Sequence, residues 1–165
     1  MIHIFGVDHW LQPANVTDLG DEATALSIEN KRAFAASLEA VVRPGSGGLV
    51  GEECRPGEDT IAHRLADRHC WAYDMVDMPQ AERTRQNIPP NYATIFRNNP
   101  AELARCNSAR EQYMFDQIRR NRGSRPEVVV ICGVWHLDPL RRLFVNAGDE
   151  VDPQDLTKAT WFKPP

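Results

Sequence analysis

The sequence predicts an α/β fold, a mostly parallel central sheet with helices on both faces and a site at the carboxyl edge of the strands. Three observations lead there. Short apolar runs alternate with stretches of helical periodicity. The run Val128-Val129-Val130-Ile131-Cys132 is continuously apolar, as a strand covered on both faces should be. Two apolar runs also end in the same turn, Gly6-Val7-Asp8-His9 and Gly133-Val134-Trp135-His136.

Residues 2–7 read as a first buried strand and residues 8–22, with Pro13, Asn15 and Gly20, as a loop. Residues 23–42 read as a helix, with Phe34, Leu38 and Val41 at helical spacing, ended by Pro44 and Gly45-Ser46-Gly47-Gly48. Leu49-Val50 opens a short strand running into Gly51-Glu52-Glu53. Residues 58–69 form a second helix. Residues 70–73 resemble a third short strand, which enters the acidic segment Asp74–Asp77. Residues 79–90, broken by Pro79, Pro89 and Pro90, are the one candidate insertion. A short helix over 99–106 and a longer one over 108–122 are expected, stopped by Gly123 to Pro126. Residues 127–132 are the clearest strand. A helix follows His136 to about Asn146, and the tail from Asp149 holds one short strand at most.

The chain of 165 residues fits a single domain, 1–165, that can bury a core without staples. Hydrophobic residues make up 42% and charged residues 25%, as in ordinary globular proteins. A net charge of −4 argues against a nucleic-acid partner. Cys54, Cys70, Cys106 and Cys132 form no Cys-x-x-Cys pair, which removes the zinc-knuckle and thioredoxin readings. The opening Met-Ile-His-Ile-Phe-Gly reads as strand and not as a signal peptide, and no apolar run is long enough to span a membrane. The expectation is a cytoplasmic, reduced-thiol protein with no membrane partner. Dinucleotide, Walker, zincin and nucleophile-elbow signatures are absent.

In open α/β sheets ligands bind at the carboxyl ends of strands, so His9 and His136 are expected on one rim. Glycine there permits a tight turn and close backbone approach. Imidazole serves as metal ligand or general base near neutral pH. Glu52 and Glu53 end another strand and reach the same rim. Side chains alternate along a strand, so only one of the two enters the site, and the sequence leaves open which. Two imidazoles and carboxylates suffice to hold a divalent metal (manganese, cobalt, zinc or iron), with His9, Glu53 and His136 as ligands, or to poise a water without one. Arg110 shares a helical stripe with Met114, Gln117 and Ile118 and so needs an anionic partner, either a glutamate or a substrate group. Asp74 and Asp77 are candidates for the same rim. The competing structural readings are a histidine capping the following helix, with Asp8 or Asp138 as caps, a solvated acidic strand end, and a purely structural ion pair for Arg110. His3, His63 and His69 are read as non-catalytic and Cys132 as a core thiol. Trp10, Trp71, Trp135 and Trp161 either line a pocket or pack.

The ordered set Gly6–His9, Gly51–Glu53, Arg110-Glu111-Gln112-Tyr113-Met114 and Cys132–Leu137 resembles the superfamily of erythromycin esterases, haem-associated ChaN proteins, TraB proteins and TIKI proteases. Segments 74–83 and 110–114 are most similar to its small bacterial members. The resemblance implies a small α/β core with histidine and glutamate gathered at the sheet's carboxyl edge, and a hydrolase that is metal-dependent in the TIKI branch. Carried over by motif, His9, Glu52 or Glu53, Arg110 and His136 would be the functional residues. The chain lacks the helical additions of the esterases, the TIKI anchor and the ChaN lipoprotein signal, so macrolide, Wnt and haem specificities do not transfer. The expectation is therefore a hydrolase of an ester or amide bond in a small-molecule or peptide substrate. The alternative is a metal- or haem-binding protein without turnover, and a homodimer is left open.

Overall fold

The computed structural model describes residues 1–15 and 21–164 and is α/β, with five parallel strands flanked by helices. The strands are β1 (Ile2–Val7), β2 (Leu49–Glu52), β3 (Ala72–Met75), β4 (Val128–Gly133) and β5 (Val151–Asp155), in the order β3-β2-β4-β1-β5. The helices are α1 (Asp21–Glu39), α2 (Ile61–His69), α3 (Gln80–Arg85), α4 (Tyr92–Ile95), α5 (Pro100–Arg122) and α6 (Val134–Asn146). No helix among the described residues is long and apolar enough to cross a membrane.

Parallel neighbours require crossovers, and crossovers are right-handed. From β1 to β2 to β3 the chain steps one way along the sheet, and from β3 to β4 to β5 it steps back. Right-handedness then sends α1 and α2 to one face and α5 and α6 to the other. The core divides accordingly. Phe5, Val7, Val50, Val129 and Ile131 pack with Phe34 and Leu38 of α1 and Leu65 of α2. Ile4, Leu49, Val128, Val130 and Cys132 pack with Met114 and Ile118 of α5 and Phe144 of α6. Strand alternation produces the split. A smaller cluster of Met78, Ile88, Tyr92 and Cys106 seats the segment between β3 and α5.

Several boundaries differ from the sequence reading. Residues 8–22 contain a 3-10 turn at His9–Leu11, α1 starts at Asp21, and residues 16–20 lie outside the described residues. Cys70 is the left-handed C-cap of α2 (φ 57°), so β3 starts at Ala72. The segment 79–90 includes α3. Residues 100–122 form one helix, because Asn99 caps its start by accepting from the Glu102 N–H and Cys106 is buried within it. α6 begins at Val134, which places His136 in its first turn rather than before it.

Candidate functional site

The crossovers leaving β1 and β4, which are adjacent, run to opposite faces. Such a switch point opens a crevice at the carboxyl edge. Both Gly-x-x-His turns stand there. Their glycines make room for each other's turn. A Cβ on Gly6 would lie 3.0 Å from Leu137 Cδ2 and 3.3 Å from the Val134 backbone, and one on Gly133 would lie 2.8 Å from His9 Nε2. A cleft of about 850 Å³ opens over this edge, lined by His9, Trp10, Glu53, Met78, Arg83 and Arg110 among others.

Glu53 is the centre of the site. β2 places Leu49 and Gly51 toward α5 and Val50 and Glu52 toward α2, so the next residue turns to the α5 side. Glu53 is buried. Its Oε1 accepts from Arg110 Nη2 at 2.6 Å and stands 3.7 Å from His136 Nε2 and 3.8 Å from His9 Nε2. Its Oε2 accepts from the Gly133 N–H at 2.8 Å, at the positive end of α6. Burial pushes its pKa up, but His136, Arg110, His9 and the Gly133 N–H outweigh burial and hold it below the ordinary carboxylate value.

Arg110 spends all five N–H groups inside the protein. Nε donates to Asp77 Oδ1 (3.2 Å) and Nη2 to Asp77 Oδ1 (2.8 Å) and Glu53. Nη1 donates to the Tyr92 hydroxyl (3.0 Å) and faces His136 Nε2 (3.5 Å). Burial works against the guanidinium charge, yet Glu53 and Asp77 raise its pKa above the usual value. Its side chain is 10% exposed. Of its two expected roles, this leaves the anchor of Glu53 and not the clamp on substrate. Asp77 also holds Arg83 Nη2 at 2.5 Å, and Arg83 Nη1 has no partner among the described residues.

The two histidines are held differently. His136 is buried, with Nδ1 2.8 Å from Glu111 Oε1. His9 is 57% exposed at the cleft mouth, with Nδ1 2.8 Å from Gln12 Oε1. Neither caps a helix by its side chain, and Asp8 makes no cap bond either. Asp138 is paired with Arg141 and Arg142.

Of the candidates for this rim, the structure therefore gathers His9, Glu53, Arg110, His136 and Asp77. Glu52 is separated from them. It points to the α2 face, where Oε1 accepts from Gln12 Nε2 (3.2 Å) and Oε2 from Thr60 Oγ1 (2.6 Å) and the Tyr73 hydroxyl (2.9 Å). Burial pushes its pKa up to about 7 against those hydrogen bonds. Asp74 bonds Asn121 instead of approaching the rim. His3 pairs with Asp152, and Cys132 is buried. Of the tryptophans, Trp10 lines the cleft, Trp71 is core, Trp161 packs against Phe162, and Trp135 is 86% exposed.

Gln12, Glu111 and Tyr92 were not anticipated. Glu111 carried a signal, since it lies on the buried stripe with Phe115 and Ile118 and a carboxylate there needs a partner. Gln12 and Tyr92 carried none.

The donor set does not fit the expected divalent metal. A ligated cation stands about 2.0–2.2 Å from its oxygen and nitrogen donors. The guanidinium of Arg110 fills the place between Glu53 Oε1 and His136 Nε2 that a cation would need. Among the described residues no group of three histidine, cysteine, aspartate or glutamate side chains is arranged to hold a metal. Comparison with family models, with curated proteins and with solved structures gave no match.

Proposed function

We propose that the protein is a hydrolase that activates water with His9, beside an ionised Glu53, and attacks an ester or amide bond. The observation that carries this reading is His9 Nε2, at the cleft mouth and 3.8 Å from Glu53 Oε1, on a ring whose other nitrogen is held by Gln12. Water adds to the acyl carbon while its proton passes to Nε2. The imidazolium so formed faces the Glu53 carboxylate, which stabilises it. Arg110 and the Gly133 N–H keep that carboxylate ionised and fixed. Negative charge develops on the former carbonyl oxygen. The cleft cations with donors to spare are Arg83, through Nη1, and the exposed Arg55. Collapse of the tetrahedral adduct expels the alcohol or amine, which takes the proton back from His9. A small molecule or short peptide suits the volume of the cleft.

The test is a panel of chromogenic esters, lactones and anilides with the wild type, His9→Ala and Glu53→Gln. Turnover that falls about 10²- to 10⁴-fold in His9→Ala supports the reading. Turnover indifferent to His9, or none on any class, removes it. A haem titration runs in parallel. A Soret band that depends on a histidine, without turnover, selects the binding-only alternative.

A further inference from the structure

We infer that Gln12 is a positioning residue that locks His9 in the tautomer protonated at Nδ1, leaving the bare Nε2 toward Glu53 and the cleft. Its consequence for rate rests on the hydrolytic reading above; the tautomer itself does not. Gln12 is only 2% exposed, although the histidine three residues before it is open to water. Every polar atom of its side chain is engaged. Nε2 donates to Glu52 Oε1 at 3.2 Å and to the Glu53 carbonyl oxygen at 2.9 Å. A carbonyl oxygen only accepts, so the NH₂ group must lie on that side, and a flipped amide would set oxygen against oxygen. Oε1 is thereby fixed toward His9 Nδ1, 2.8 Å away. That oxygen also only accepts, so Nδ1 carries the hydrogen and Nε2 the lone pair of a neutral ring.

The anchors of Gln12 are themselves fixed. Its carbonyl accepts from the Ile61 N–H at 2.9 Å, tying the turn to α2. Glu52 is held by Thr60 and Tyr73. The two glutamates of one strand end thus divide the work. The Glu53 side chain meets His9 Nε2, while its backbone carbonyl and the Glu52 side chain orient the amide that holds Nδ1. A free histidine side chain favours the opposite tautomer, with hydrogen on Nε2. That form would leave water activation without a base on the cleft side.

The experiment is nitrogen-15 imidazole spectroscopy of the full chain, at a pH where His9 is neutral, for the wild type, Gln12→Leu and Glu52→Gln. The wild type is expected to show hydrogen on Nδ1 of His9. Gln12→Leu is expected to move it largely to Nε2 and to lower kcat about 10- to 100-fold on any ester found above, with KM little changed. Glu52→Gln keeps the Glu53 carbonyl anchor and is expected to keep the wild-type tautomer. Gln12→Asn, one methylene too short to reach His9, is the second variant if leucine prevents folding, with the same shift expected. Hydrogen on Nε2 in the wild type overturns the inference, as does an unchanged tautomer in either folded Gln12 variant. The readout needs no substrate. The expected tautomers without hydrolysis would remove the enzymatic reading alone, whereas hydrolysis with a tautomer indifferent to Gln12 would remove this one alone.

Discussion

A β-carbon at position 133 would lie 2.8 Å from His9 Nε2, so the second Gly-x-x-His turn is shaped around the histidine of the first. Gly133→Ala should therefore displace His9 with little change in the core. Misplacing a reacting group by about 1 Å costs on the order of 10²-fold in rate. The expected outcome is that loss in kcat with a nearly unchanged melting temperature. Full activity in Gly133→Ala would mean that His9 does not work from this position.

Glu52 makes stability fall as pH rises. Its folded pKa, about 7, lies above the ordinary 4.5. Its contribution is fully present below 4.5 and is lost as pH rises through 7, because the unfolded chain ionises first. At 1.36 kcal/mol per unit the loss is on the order of 3 kcal/mol. Glu52→Gln carries no charge and should lack this slope. Urea unfolding of both proteins at several values across that window checks it. Parallel stability curves would contradict it.

Glu53 and Arg110 should behave as one unit. Removing one partner of a buried ion pair costs about 3–5 kcal/mol. Arg110→Met leaves Glu53 as a buried charge facing only histidines and one N–H. Glu53→Gln in the same chain should recover part of the loss, with a coupling of about 0.5–3 kcal/mol. Additive losses in the double variant would show that the pair is not coupled. Because the folded pKa of Glu53 is depressed, its stabilisation is present above the ordinary carboxylate value and disappears as pH falls through the folded one.

Chelators should leave hydrolysis unchanged. Arg110 Nη2, 2.6 Å from Glu53 Oε1, already supplies the positive charge that a divalent ion would bring to that oxygen. Dialysis against a chelator, with activity and metal content measured before and after, checks this. Activity lost on chelation and restored by manganese, cobalt, zinc or iron would replace the metal-free scheme.

How much was legible depended on the distance of the partners. β4 could be read because it is buried on both faces and apolar throughout, and β1 because His3 alone interrupts its apolar run. The gathering of His9, Glu53, Arg110 and His136 followed from strand ends and one helical stripe. The start of α6 was not legible, since the N–H of its N-cap, Gly133, is met by Glu53, 80 residues away, and no local side chain caps it. The continuity of α5 was hidden by Cys106-Asn107-Ser108, weak helix formers, yet Cys106 is core and Asn107 accepts from the Tyr92 hydroxyl. Alternation decided between Glu52 and Glu53 only once the strand's facing was known. Gln12 was invisible because its role exists only where β1 and β2 end together.

The place of β1 between β4 and β5 has a consequence for how the chain acquires its shape during synthesis. β1 leaves the ribosome before the other four strands, and both of its hydrogen-bonding neighbours leave after β2 and β3. At about 5–20 residues per second the interval is on the order of 10 s. Throughout it, an apolar strand with two unsatisfied edges is without its native partners, and the pairings that close it are non-local and slow to form. A nascent-chain pulldown should accordingly find chaperones on β1 until residues 128–155 have emerged. The His9 turn would be completed only once β4 and α6 are in place, although it is made before either of them.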